Sequence, residues 1–195
     1  MDEVIIVSTV RLLVLGAILR RGVSHGYAVL NDITSWRADT WTNVKPGSIY
    51  HALDKLEPQG MIRAVPSGDN TKLGPARKEY TVTPQGESEF TALLESALVS
   101  FDILQFSAGV AFMDRLPRRR VIALLRQRRD ALEASRRFLR NLPTDERPNE
   151  PSRHPELVGI WIGYVENEAA ATERILAHVQ AGKYEFKSEP LEGEK

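Results

Sequence analysis

The sequence contains no cysteine, which excludes disulfide bonds, thiolate metal sites and cysteine nucleophiles. It also has no excess charge, because 26 Lys and Arg residues balance 26 Asp and Glu residues. Such a chain does not bind polyanions indiscriminately, although a local basic patch remains compatible with DNA binding. The longest apolar stretch, 4–19, is interrupted by polar residues and is short for a membrane span. The acidic start, Met1 to Glu3, does not resemble a secretory signal, so we expect a cytoplasmic protein without membrane association.

Patterns for catalysis and metal binding are missing as well. The four histidines are scattered, and no two of them have the i, i+4 spacing of a metal site on a helix. The sequence has no Gly-rich phosphate loop, no Gly-x-Ser-x-Gly elbow and no prominent pair of carboxylates. We therefore predict no enzymatic activity, no metal and no cofactor.

The 195 residues, 42% of them hydrophobic, suffice for one large or two small domains with a core. A first helix is predicted from Ser8 or Thr9 to about Arg21, with Gly22 ending it. A second helix is predicted from about His25 to Trp36, with Ser24 as its cap. The apolar positions of these two helices are Leu12, Leu15, Ile18 and Leu19, and then Tyr27, Leu30 and Ile33.

The stretch 45–62 predicts a short third helix with distinct faces. Pro46 suits a first turn, and Gly60 suits a position just beyond the last turn. The apolar stripe is Ile49, Leu53 and Leu56, whereas the polar face carries Ser48, His51, Asp54 and Lys55. Such a helix is typical of an element that enters a DNA groove, but an ordinary amphipathic surface helix has the same pattern.

A β-hairpin is predicted after the third helix, because residues 61–65 and 77–83 alternate while 66–76 are rich in Gly, Pro, Asn and Asp. Three helices followed by a hairpin indicate a winged helix-turn-helix, in which the third helix reads the major groove. The fold class predicted is thus mainly α with a small β-hairpin wing, followed by an α-helical dimerisation domain. The predicted domains are 1–90, which binds DNA, and 91–195, which dimerises and holds any effector.

The second half predicts helices from Thr83 or Pro84, through the apolar segment 101–113, from Pro117 to about Asn141, and from about Glu156 to Gln180. A proline-rich linker, 142–155, separates the last two, and the tail from Gly182 is expected to fray. Two long amphipathic helices cannot both be covered by a winged module of about 80 residues, so we expect a homodimer. The arginines of the third of these helices are expected to pair with Glu166, Glu168 and Glu173 across the dimer rather than with DNA.

The sequence resembles the PadR family of transcriptional regulators. The resemblance rests on Leu13–Gly16, His25–Tyr27, Pro46–Tyr50, Leu53–Glu57, Gly60, Ile62, Arg77–Lys78, Tyr80, Thr83 and Gly86. It implies a homodimeric, DNA-binding regulator, in most cases a repressor that a small aromatic effector releases. Three features depart from the family pattern. Lys45 replaces a small capping residue, Asp54 replaces a basic or neutral residue, and the usual Gly-Arg-Pro run of the wing appears as Gly74-Pro75-Ala76, so that one expected arginine is missing.

The predicted DNA contacts are Tyr27, Lys45, Ser48, Tyr50, His51, Lys55, Lys72 and Arg77. Ser48 and His51 would read bases, and the others would bind phosphates of a pseudo-palindromic operator. For each there is a plainer interpretation: packed tyrosine rings, a solvated helix face, or a hairpin tip without contacts. An effector pocket is predicted at Phe106, Phe112, Trp161 and Tyr164, each of which is equally compatible with core packing. The alternative function is a winged-helix protein-interaction module that has lost DNA binding.

Overall fold

The structure is a computed structural model that describes residues 2–36, 44–65, 78–142 and 155–186. The chain forms two compact units, 1–97 with 102–112, and 98–101 with 113–195. The elements in chain order are α1 (Asp2–Arg21), β1 (Ser24–His25), α2 (Gly26–Ser35), α3 (Pro46–Leu56), β2 (Ile62–Val65), β3 (Glu79–Val82), α4 (Pro84–Val99), α5 (Ile103–Phe112), a 3-10 turn (Met113–Arg115), α6 (Arg118–Arg140) and α7 (Pro155–Gln180). The predicted boundary after residue 90 falls inside α4. Within the described segments, no helix is long and apolar enough to cross a membrane.

Helix α1 is longer and more deeply buried than its sequence pattern predicted. It begins at Asp2 rather than at Ser8 or Thr9, because acidic residues favour a helix start and no Gly or Pro interrupts the next turns. It ends as expected, since Gly22 has φ 78° and its N–H bonds to the Ile18 carbonyl at 2.8 Å. All residues from Leu12 to Ile18 are buried, so the predicted one-sided stripe was too narrow. This helix is the centre of the first unit.

The start of α2 differs from the prediction in its cap. The cap is His25 rather than Ser24, because the His25 Nδ1 atom accepts a hydrogen bond from the Ala28 N–H at 3.1 Å. Ser24 and His25 instead form the short strand β1, which pairs antiparallel with β3. The sheet therefore has three strands in the order β1-β3-β2. The predicted hairpin is confirmed for β2 and β3, with Ile62 opposite Val82 and Val65 opposite Glu79.

The apolar face of α2 is also corrected by the structure. Val29 and Ile33 are buried, whereas Tyr27 is 57% exposed and points away from the core. A helix that places Val29 and Ile33 inside turns a residue two positions before Val29 to the other side. Tyr27 is thus on the surface, where a binding role needs it to be.

Two close approaches connect the helices of the first unit. A Cβ atom on Gly86 would lie 2.0 Å from the Met61 carbonyl oxygen, so the first turn of α4 sits directly against the backbone that enters β2. A Cβ atom on Gly16 would lie 2.4 Å from the Phe112 ring, so α5 sits equally close to α1. Glycine is required at both positions because any side chain would occupy space already filled.

The second unit is built on an antiparallel pair of helices, α6 and α7. The buried side of α6 carries Val121, Leu124, Leu125, Arg128 and Leu132, and that of α7 carries Val158, Val165, Glu168, Thr172, Leu176 and Val179. The arginines of α6 do pair with the predicted acids, but they do so within one chain rather than across a dimer. Arg128 binds Glu168 at 2.6 Å, and Arg140 binds Glu166. A second chain is not needed for this pairing, because α7 packs antiparallel to α6 in the same chain and carries the acidic residues.

The start of the predicted frayed tail is also ordered. Arg118 donates hydrogen bonds to the carbonyl oxygens of Val179 at 2.9 Å and Tyr184 at 3.1 Å. Its guanidinium lies 5.1 Å from the centre of the Phe186 ring. Arg118, the first residue of α6, therefore caps the end of α7, and the prediction of fraying from Gly182 was wrong as far as Phe186.

Candidate nucleic-acid interface

The start of α3 is fixed by a reciprocal pair of hydrogen bonds. The Ser48 hydroxyl accepts the Lys45 N–H at 3.0 Å and donates to the Lys45 carbonyl at 2.6 Å. Pro46, at the first helical position, adds its fixed φ. The side chain of Lys45 takes no part in this cap and is exposed, as a phosphate-binding cation should be. The Ser48 hydroxyl has used its only proton, so in this conformation it can only accept a hydrogen bond from a base.

The exposed side of α3 lies opposite its four buried residues, Ile49, Ala52, Leu53 and Leu56. Three residues form the line farthest from this core, and we name Gly47, His51 and Asp54 the outer ridge of α3. Tyr50 and Lys55 are exposed on its two flanks. The sequence placed His51 and Asp54 on the polar face of this helix, and both are exposed, but it did not name Gly47 as part of the same outward-facing line. The spacing of the buried residues in the sequence was enough to find Gly47, because the ridge is the line on the opposite side of the helix from them.

The two predicted tyrosines are placed differently. The ring of Tyr50 packs against the start of α2, where a Cβ atom on Gly26 would lie 2.8 Å from its Cε1 atom. Tyr50 is nevertheless 44% exposed, so its ring packs on α2 while part of the side chain stays accessible, and its phosphate contact stays a prediction. The ring of Tyr27 stacks on that of His25, with centroids 6.3 Å apart and an interplanar angle of 13°. Both tyrosines therefore flank the start of α2 with part of the side chain exposed.

The base of the wing is attached to the end of α3 by an ion pair. The Lys78 Nζ atom lies 2.5 Å from the Glu57 Oε2 atom and 5.5 Å from the centre of the Tyr80 ring. The hydrogen bond to Glu57 raises the pKa of Lys78, and burial raises the pKa of Tyr80. Lys78 thus remains charged but is held by the protein. The predicted wing contacts Lys72 and Arg77 lie outside the described residues.

The four residues of the predicted effector pocket belong to different units. Phe106 and Phe112 are buried in the first unit, where the Phe112 ring meets those of Trp36 and Phe90 edge to face. Trp161 and Tyr164 lie in the second unit with ring centroids 5.8 Å apart, and Trp161 is 50% exposed. The packing of Phe112 is explained by the core, whereas the exposure of Trp161 is not. The pocket stays a prediction.

Comparison with known proteins identifies the first unit. Residues 14–92 match the family described as the Transcriptional regulator PadR-like family. These residues are a PadR-like domain. No curated protein matches the sequence significantly. Among solved structures, the crystal structure of Bacillus subtilis PadR in complex with operator DNA is 22% identical, with a TM-score of 0.38, and the match covers 87% of this chain and 98% of that one.

The PadR-like domain contains the whole of the candidate interface. It extends from the middle of α1 into α4, and so includes the outer ridge of α3 and both strands of the wing. All eight predicted DNA contacts lie inside it. Within the described segments, no group of three or more His, Asp or Glu side chains is arranged to hold a metal ion. What this surface offers chemically is a set of hydrogen-bonding groups and exposed cations on a fixed helix.

Proposed function

We propose that the protein is a sequence-specific, DNA-binding transcriptional regulator that acts as a homodimer on a pseudo-palindromic operator. The observation that carries this proposal is the exposed outer ridge of α3, next to a wing, in a PadR-like domain. The reciprocal bonds between Ser48 and Lys45 fix the start of that helix before it meets a partner. A preorganised helix loses little conformational entropy on binding, which favours recognition of one groove geometry.

Each exposed group around the ridge has a role that follows from its chemistry. Lys45 and Lys55 are cations at the two ends of α3, and cations at such positions bind phosphates on either side of a groove. The hydroxyls of Tyr27 and Tyr50 donate to phosphate oxygens without needing a charge. His51 lies on the outer ridge itself and reads base edges, and Lys72 and Arg77 extend the phosphate contacts along the wing.

The proposal is tested by titrating the full chain onto the DNA upstream of its own gene and onto random duplex of equal length. We expect tighter binding to the upstream fragment, and binding to both that weakens as salt rises from about 50 to about 200 mM. Footprinting of the upstream fragment should show two protected half-sites related by two-fold symmetry, about 34–36 Å apart. Equal binding to both duplexes at low salt would contradict sequence-specific recognition.

Lys55→Ala is expected to weaken binding to every duplex alike and to reduce the slope of log affinity against log salt by about one for each contact removed. The reason is that a phosphate contact carries no sequence information. His51→Ala is the matched comparison on the same helix, and it should change the preferred sequence more than the salt slope. Titrations of both variants at several salt concentrations separate the two roles. An unchanged slope for Lys55→Ala would show that Lys55 does not contact phosphate.

The homodimer is supported by an apolar stripe on α7 that is exposed apart from Tyr164, which is half-buried and donates a hydrogen bond to the Phe101 carbonyl. Leu157, Ile160, Trp161 and Tyr164 follow each other at helical spacing, and the exposed fractions of the first three are 54%, 68% and 50%. An uncovered stripe of this kind marks an interaction surface in a soluble protein. A second copy presents the same stripe and covers it symmetrically.

Trp161→Glu is expected to convert the dimer to a monomer, because it places a charge in the middle of the stripe. Ala170→Glu is the control, since it adds the same charge at an exposed position of α7 outside the stripe. Sedimentation or light scattering at matched concentrations gives the molar mass of each variant. If Trp161→Glu remains a dimer and wild type does too, the two copies associate through another surface.

The proposal extends to repression and to release by a small aromatic effector. Such a compound would compete with the second copy for half-exposed Trp161, whose ring lies edge to face with that of Tyr164, and release of DNA would then follow from loss of the dimer. Quenching of tryptophan fluorescence by simple aromatic acids, with loss of operator binding at the same concentrations, would support this part. Release without any effect on Trp161 would place the effector elsewhere.

A protein-interaction module is the second candidate function. Its support is the zero net charge of the chain and the exposed carboxylate of Asp54 on the outer ridge. The same titration decides between the two, because a module without DNA binding shows no affinity for either duplex at low salt.

A further inference from the structure

Asp54 is the residue that fits a DNA-facing ridge least well. It is exposed on the outer ridge of α3, and among the described residues it makes no hydrogen bond and no ion pair. The nearby cation Lys78 forms its ion pair with Glu57, and the charge of Asp54 adds only a smaller contribution to the raised pKa of Lys78. A free carboxylate that faces a duplex is repelled by the phosphates, so it lowers affinity unless it meets a hydrogen-bond donor.

Gly47 lies on the same ridge, seven residues or about two helical turns before Asp54. Gly16, Gly26 and Gly86 are each explained by a neighbouring group that leaves no room for a Cβ atom. A Cβ atom on Gly47 would meet nothing within 4 Å among the described residues, as is also true of Gly159 and Gly163 on α7, but Gly47 alone of these three lies on the outer ridge of α3. Glycine inside a helix lowers stability by roughly 0.5–1 kcal/mol relative to alanine. Packing within the described part of the chain gives no reason for glycine at position 47, because a side chain there would have room.

The two observations together describe a ridge that a partner approaches closely. A missing side chain at Gly47 lets the helix backbone come nearer to the groove floor, and the short side chain of Asp54 reaches a base edge only at such a distance. The donors in the major groove are the N4 amino group of cytosine and the N6 amino group of adenine. Adenine places the acceptor N7 beside its amino group, which repels the second carboxylate oxygen, whereas cytosine has no acceptor there.

We propose that Asp54 is a specificity-determining residue that accepts a hydrogen bond from the N4 amino group of a cytosine in each half-site. This inference rests on the proposed DNA binding and names a feature of its target. The Asp54 carboxylate disfavours duplexes that have no hydrogen-bond donor at that position. Its repulsion by DNA therefore contributes to sequence preference.

The test is a parallel selection of random duplexes by the wild-type chain, by Asp54→Ala and by Asp54→Asn, followed by titration of the selected sites. We expect the wild type to prefer cytosine at one position in each half-site, by about 5- to 150-fold over other bases. Asp54→Ala, which has no acceptor, should lose this preference, whereas Asp54→Asn keeps an acceptor oxygen and gains a donor, so that adenine becomes acceptable as well. Replacing that cytosine by pyrimidin-2-one, which lacks the amino group, should weaken the wild type and leave Asp54→Ala unaffected.

Two further variants separate recognition from charge and from folding. Glu87→Gln removes an equal charge at an exposed position of α4 and should leave the preferred sequence unchanged. Gly47→Ala should raise thermal stability slightly and lower affinity for the selected site, and no loss of folding can produce that pair of changes. If Asp54→Ala binds all duplexes more tightly with wild-type preferences intact, Asp54 only repels phosphate and the assignment is wrong. If the wild type selects no sequence at all, the proposed function fails and the assignment falls with it.

Discussion

Gly86→Ala is expected to lower the free energy of unfolding by about 3 kcal/mol. The new methyl group would lie 2.0 Å from the Met61 carbonyl oxygen, 2.7 Å from the Val82 Cγ1 atom and 2.9 Å from the Met61 carbonyl carbon. Two of these three atoms belong to the backbone, so no rotation of a side chain relieves the overlap. Relief requires that α4 move away from the strand entry, where the Thr83 N–H also donates to the Met61 carbonyl at 3.0 Å.

The matched control is Gly159→Ala on α7, where a Cβ atom meets nothing within 4 Å among the described residues. Because alanine has a higher helix propensity than glycine, this variant should leave the free energy of unfolding unchanged or raise it by about 0.5–1 kcal/mol. Denaturant titration of both variants at one protein concentration measures the difference, since association would otherwise contribute to stability. A loss below about 1 kcal/mol for Gly86→Ala would show that the contact between α4 and β2 adjusts easily.

The sequence predicted those features of the fold that depend on neighbouring residues. Pro46 marked the start of α3, and Gly60 has the positive φ of 72° expected beyond its end. The start of α4 at Pro84 and the bounds of α6 and α7 were likewise predicted within one or two residues. Helix periodicity and the conformational limits of Pro and Gly are local properties, so a single sequence suffices for them.

Features that depend on distant residues were missed. Strand β1 contains two residues and exists only because Ser24 and His25 find the edge of β3 more than 50 residues later. The cap of α2 follows from the same pairing, since it places His25 where its ring faces the first turn. The direction of Tyr27 depends on which side of α2 meets the core. The spacing of hydrophobic residues along the sequence predicts none of these three features.

The candidate site shows the same division. The sequence predicted that His51, Asp54 and Lys55 lie on the polar face of α3, and all three are exposed there. The hydroxyl of Ser48 was predicted to read a base, and the structure shows it occupied with the cap that fixes its own helix. Periodicity describes faces of a helix, but it does not show which polar groups on a face are already bonded.

The buried arginine of the second unit gives the other large expected effect. Arg128 is fully buried, donates to the Ser100 carbonyl at 2.8 Å and to Glu168 at 2.6 Å, and also contacts the Thr172 hydroxyl. It therefore joins α6 to α7 and to the segment 98–101 within one bonded group. Arg128→Met should lower the free energy of unfolding by about 3–5 kcal/mol, because Glu168 would remain buried without its partner.

The double variant Arg128→Met with Glu168→Leu distinguishes loss of the ion pair from loss of packing. It removes both charges, so it should recover most of the stability that Arg128→Met loses. Arg129→Met is the control, because the neighbouring Arg129 pairs with Asp130 in contact with solvent, where an ion pair contributes little to stability. Denaturant titration of the full chain, with hydrogen exchange followed in α6 and α7, measures these differences where they arise. A double variant as unstable as Arg128→Met would show that hydrogen bonds to Ser100 and Thr172, rather than the charge of Glu168, make this arginine necessary. In either outcome Arg128 serves the packing of α6 against α7. A count of basic residues in the sequence cannot distinguish such a buried arginine from one on a DNA-binding surface.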